Sequence, residues 1–154
     1  MRPPYAAVYL LSGVLGNVAS FWASPALGAG ASGAVFGIVG AFAVYLMLNR
    51  RVLGRLGSQA LTTVGFIIVI NLLFGFLVAG IDNWAHLGGL AGGAAMAWAL
   101  APRQRVAAPG PESFRTGPLV RTEEVRPGPA QQAAVIGMAA VVIGLLAYAA
   151  RLAY

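Results

Sequence analysis

The sequence predicts an all-α, polytopic membrane helix bundle, and three observations carry that prediction. Hydrophobic residues make up 59% of the 154-residue chain and charged residues only 9%, a balance far from that of a soluble domain. Five segments are apolar over close to twenty residues each, the length a helix needs to cross a hydrocarbon core about 30 Å thick at about 1.5 Å per residue. The basic residues are all arginine and fall in short clusters between those segments. That distribution belongs to the loops of a membrane protein and not to a nucleic-acid surface, despite a net charge of +6.

The first span covers residues 5–23 and is read as a retained helix, because it is long and is followed directly by further apolar runs. The others cover residues 32–49, 59–79, 84–101 and 131–151. Between residues 102 and 130 the composition shifts to Pro, Gly, Arg and Glu, with no hydrophobic period to support a packed element. The chain therefore divides into a core of four spans (1–101), a linker (102–130) and one additional C-terminal transmembrane helix (131–154).

Arginine positions set the expected orientation. Arg2, the group Arg50, Arg51 and Arg55, and the group Arg103, Arg105, Arg115, Arg121 and Arg126 all fall on one side after five crossings, leaving Arg151 on the other. The positive-inside rule then puts the N-terminus and the linker in the cytoplasm and the C-terminus outside, as in a multi-pass protein of a bacterial plasma membrane. The chain has no cysteine, which excludes disulfides and thiolate metal sites. No cofactor or metal is expected, and no nucleic-acid partner. Oligomeric state is not legible.

An ionisable or nucleophilic group at membrane depth costs free energy and marks a candidate site. His86 is the only histidine, about two residues into the fourth span, and Ser32 opens the second. Both spans start on the outer side, so the two side chains sit at similar depth. A serine hydroxyl becomes a good nucleophile when a base takes its proton, and imidazole is the commonest such base. Gly33, Gly37 and Gly40 on one helix, and Gly89 and Gly93 on the face of His86 on the other, remove bulk and predict close helix approach. Phe36 lies one turn below Ser32, where its ring can rest against the imidazole; ordinary core or lipid packing is the alternative reading.

These residues carry a resemblance. Gly30, Ala31, Ser32 and Gly33 match the GxSG motif of rhomboid intramembrane serine proteases, and Ala85, His86, Gly89 and Gly93 match that family's AHxxGxxxG pattern, one intervening helix later. GxSG alone is weak; the two motifs opening alternate spans are specific. The resemblance covers residues 1 to about 101 and implies the third to sixth helices of a six-helix core, with residues 131–151 resembling an extra seventh. It also implies two earlier helices, the second with an HxxxN motif that helps bind the oxyanion. These 154 residues contain no such motif, so the sequence resembles a partial rhomboid core, a fragment.

The resemblance implies a Ser32/His86 dyad, with the backbone N–H of Ser32 as an oxyanion donor, acting as an endopeptidase on transmembrane segments of other proteins in the lipid bilayer. The third span, with Phe66, Phe74 and Phe76, is the expected moving wall for lateral entry. The alternative is a catalytically inactive rhomboid-like protein that binds or escorts membrane clients. Asp82, four residues before His86, suggests the third member of a triad, but Asp82 or Asn83 capping the fourth helix is the preferred reading. Asn71 and Asn17 read as interhelical hydrogen-bonding groups. Ser12, Ser20 and Ser58 read as bonded to their own helix backbones.

Overall fold

The computed structural model describes residues 5–23, 30–106 and 122–152. Its elements, in chain order, are α1 (Tyr5–Ala23), α2 (Ser32–Leu48), α3 (Arg50–Leu77), α4 (Asn83–Leu100), β1 (Arg103–Val106), β2 (Thr122–Val125) and α5 (Pro129–Leu152). It is an all-α membrane helix bundle with a small two-stranded ladder. Helices are the economical form here, since each satisfies its own backbone donors and acceptors where no water is available.

Helices α1, α3 and residues Pro129–Ala149 of α5 are long and apolar enough to cross a bilayer. Helix α2 is apolar but shorter, at 17 residues. The apolar character of α4 is diluted by Asn83, His86 and the pairs Gly88–Gly89 and Gly92–Gly93. Position explains the difference, because α4 lies against both α1 and α2 and its polar and glycine positions face protein. Gly33, Gly37, Gly89 and Gly93 are all buried.

Two differences from the sequence reading have simple causes. The third helix begins at Arg50 and not at residue 59, with Asn49 as the only residue between α2 and α3. Arg50, Arg51 and Arg55 are exposed on this early turn, where arginine is a good helix former needing no burial. Gly54 (φ 54°, ψ −134°) breaks the helix inside this stretch, a conformation that glycine adopts without steric cost.

The second difference falls in the linker. β1 and β2 pair antiparallel, with Arg103 opposite Val125 and Arg105 opposite Glu123. Such a ladder needs only main-chain hydrogen bonds, and almost all of its side chains are exposed, so no hydrophobic period announces it. Residues 107–121 and 24–29, which include most of the expected linker and outer loop, lie outside the described residues, as does Arg2.

Helix α5 packs on α1 and α4. Its Val135, Ile136 and Ala139 rest on a core of Val8, Met96 and Leu100.

Candidate functional site

The site sits where the N-terminal ends of α2 and α4 meet. Ala31 is the N-cap of α2 and supplies no side-chain cap. Ser32, the first helical residue, is exposed, and its N–H is one of the donors that helix geometry leaves without an intrahelical partner. Gly30 lies alongside: a Cβ there would stand 3.7 Å from Ser32 Oγ and 3.9 Å from Ser32 N.

Backbone touches backbone along the α2–α4 seam. A Cβ on Gly33 would come within 2.9 Å of the Ala85 carbonyl oxygen. One on Gly89 would overlap the Gly33 carbonyl, and one on Gly93 the Gly37 carbonyl. Ser32 and His86 each adjoin a member of the first contact, Gly33 and Ala85. The imidazole lies flat on the Phe36 ring, with centroids 4.2 Å apart and planes 9° from parallel. Phe36 and His86 are both buried, at 8% and 7% exposure.

His86 Nδ1 is buried and has no hydrogen-bond partner. Among the described residues, no hydrogen bond joins Ser32 to His86. Asp82 does not bond to the imidazole: its Oδ1 accepts the Ala85 N–H at 3.0 Å as the N-cap of α4, and its Oδ2 accepts the Ser20 hydroxyl of α1. Both carboxylate oxygens are therefore engaged elsewhere, and the side chain ties α1 to the turn that carries His86.

Several polar residues differ from their sequence reading. Ser20 bonds to Asp82 and not to its own helix, because a carboxylate within reach is a stronger acceptor than a carbonyl already used in the helix. Ser12 and Ser58 do bond their own helices, at Tyr9 O (3.1 Å) and Gly54 O (3.2 Å). Asn71 bonds within its helix to Ile67 O at 2.8 Å and is exposed, with no interhelical partner among the described residues. Asn17 is likewise exposed. Phe66, Phe74 and Phe76 are exposed on α3, at 66%, 55% and 74%.

Two asparagines organise the surroundings without having stood out as site residues. Asn83 donates to Leu72 O at 3.1 Å and abuts Gly75, joining α3 to the start of α4. At the opposite end, the fully buried Asn49 donates to Tyr45 O (2.9 Å) and Pro102 O (3.1 Å) and accepts the Gln104 N–H (2.5 Å). The only signal in the sequence was a lone amide directly after an apolar run, a common helix C-terminal residue.

A helix bundle of the membrane, with serine and histidine on neighbouring helix starts, defines the class. The family profile described as Rhomboid domain matches residues 2–103, and the chain belongs to the rhomboid family, an intramembrane-protease type of integral membrane protein. It is 47% identical over 94 residues to rhomboid protease GluP of Bacillus subtilis, covering 60% of this chain and 18% of that protein. It is 39% identical over 87 residues to RHOMBOID-like protein 1 of Arabidopsis thaliana (56% of this chain, 22% of that one). To the putative rhomboid protease YdcA of Bacillus subtilis it is 32% identical over 88 residues (56% and 43%). The chain thus spans between 18% and 43% of the length of these relatives. No solved structure matches.

Proposed function

We propose that this chain supplies the Ser32/His86 pair of an intramembrane serine endopeptidase that cleaves transmembrane segments of other membrane proteins. The observation that carries the reading is the stacking of Phe36 on His86, which sets the imidazole against the residue one helical turn after Ser32 on α2. The occupied carboxylate of Asp82 and the unpartnered Nδ1 favour a pair without an acid. A buried nitrogen left unpaired costs about 1–3 kcal/mol, a cost that the structural Asn83 Oδ1 also carries, so the stacking carries the reading and the bare Nδ1 only supports it.

In the proposed reaction, Ser32 Oγ attacks a peptide carbonyl as His86 takes its proton. The tetrahedral oxyanion is met by the Ser32 N–H at the start of α2, where the helix dipole favours negative charge. Collapse breaks the C–N bond as His86 returns the proton to the leaving amine. Water then attacks the acyl-enzyme with His86 again as base. The peptide bond must be unwound first, because a helical one is shielded by its own turn. The resemblance implies further oxyanion donors on a helix bearing HxxxN, and without them the chain is expected to cleave slowly: losing one such donor typically costs about 100- to 1,000-fold.

The test is cleavage of a reporter transmembrane segment in vesicles, with labelling of Ser32 by a fluorophosphonate as a substrate-independent readout. A separate two-helix segment bearing HxxxN should raise the rate, and Ser32→Ala or His86→Ala should abolish it with insertion unchanged. Near-normal rates in either variant would refute the pair. Client binding that is indifferent to both substitutions, with no cleavage under any condition, would favour the non-catalytic client binder.

A further inference from the structure

At the end of the bundle opposite Ser32, a cavity of about 420 Å³ opens between three helices. Its walls are Val8 of α1, Ile38, Ala41 and Phe42 of α2, and Ala97 and Leu100 of α4, all apolar. The volume falls within the range of about 300–1,000 Å³ typical of ligand pockets. Tyr5, Tyr45, Ala101 and Pro102 also line it, and the carbonyls of Tyr45 and Pro102 are the acceptors held by Asn49 Nδ2. The same asparagine binds the Gln104 N–H through its Oδ1. This clamp brings Arg50, next to Asn49, and Arg103, between Pro102 and Gln104, to the same end of the cavity.

Arg50, Arg51 and Arg103 are exposed. Among the described residues the only ion pair is Arg126 with Glu124, so these three guanidinium groups meet no carboxylate there. Arg105 is opposite Glu123 across the ladder. An apolar cleft with one exposed arginine next to its lining residue Pro102 and another next to the Asn49 that clamps Tyr45 and Pro102, in a helix bundle of the membrane, complements a molecule with a hydrocarbon tail and an anionic head. Basic pockets between transmembrane helices hold phospholipid heads in this way.

We infer that the cavity is a binding site for an anionic phospholipid, with an acyl chain between α1, α2 and α4 and the phosphate at Arg50 and Arg103. A free phosphate would gain nothing from the apolar walls, and a zwitterionic lipid would gain little from the arginines. Each arginine near an anionic head is expected to contribute roughly fivefold in affinity.

The experiment equilibrates the full 154-residue chain in detergent with phosphatidylglycerol or phosphatidylcholine of matched chain length and counts retained lipid by native mass spectrometry. Phosphatidylglycerol should be retained over phosphatidylcholine. Arg50→Gln and Arg103→Gln, both at exposed positions, should each reduce retention about fivefold and together about 25-fold. Ala41→Trp, which fills the cleft, should abolish it, and glycerol phosphate, a head without a tail, should leave the lipid in place. Equal retention of the two lipids, indifference to both glutamine variants, or displacement by glycerol phosphate would each overturn the inference. So would a crosslink between two copies through Phe42→Cys with lipid excluded.

Discussion

Substituting alanine along the α2–α4 seam should produce a graded loss whose order is set by backbone distances. At Gly30 the new Cβ meets Ser32 Oγ at 3.7 Å, an ordinary contact, and Gly30→Ala should be neutral in stability. At Gly33 it would stand 2.9 Å from the Ala85 carbonyl, about 0.5 Å short of ordinary contact. At Gly93 it would overlap the Gly37 carbonyl oxygen and lie 2.5 and 2.6 Å from Gly37 C and Cα, so α2 and α4 must part by about 1 Å. A backbone carbonyl cannot rotate aside as a side chain can. Overpacking of this kind typically costs about 1–3 kcal/mol, with Gly33→Ala expected near the lower figure and Gly93→Ala at or above the upper. The same separation moves Ser32 relative to His86, and a misplacement of about 1 Å can cost on the order of 100-fold in rate. Stability would be read from unfolding in mixed micelles, and site geometry from the rate at which a fluorophosphonate labels Ser32. If Gly93→Ala unfolds and labels like the parent chain, the seam is not held by backbone contact and the reasoning fails.

Other expectations follow from single side chains. Asn49→Ala removes three hydrogen bonds from a buried junction and should destabilise by about 2–4 kcal/mol, whereas Ser58→Ala, at an exposed position with a bond inside its own helix, should change stability by less than about 0.5 kcal/mol; equal effects in the micelle assay would contradict the anchoring role. Asp82→Ala should cost about 1 kcal/mol for the lost cap together with the Ser20 bond, and Ser20→Ala added to it should cost nothing further; additive losses would show that the two side chains act independently. For topology, the absence of native cysteine permits clean labelling of Leu152→Cys and Val106→Cys, both well exposed. An impermeant thiol reagent outside intact cells should modify the former and spare the latter, and the reverse pattern would invert the orientation.

Helix existence was legible because an apolar run of spanning length has few alternatives in lipid, and α1 shows the same bounds in sequence and structure. The start of α3 was not, since Arg50, Arg51 and Arg55 are as compatible with a loop as with an exposed turn, and the break at Gly54 depends on a backbone angle that composition does not express. The pairing of β1 with β2 was invisible for a similar reason: main-chain bonds carry it. Around the candidate site, counting crossings is enough to bring Ser32 and His86 to one end of the bundle. It cannot choose between two acceptors for one donor. Ser20 illustrates the limit, because its partner Asp82 lies 62 residues away and the choice over its own helix is made by tertiary proximity. Asn49 shows it again, with one bond inside its own turn and two more than fifty residues along the chain.

The brevity of α2 has a consequence for the surrounding lipid. Seventeen residues at about 1.5 Å each reach about 26 Å, against a hydrocarbon layer of about 30 Å. If Asn49 and the arginine-bearing turn hold one end at the level of the head groups, the other end stops about 4 Å below the opposite boundary. Where lipid meets so short a span, the bilayer responds by thinning. Bulk solvent would then stand nearer to Ser32 than the nominal thickness of the membrane allows, and the hydrolytic step proposed there would draw on water entering from that side.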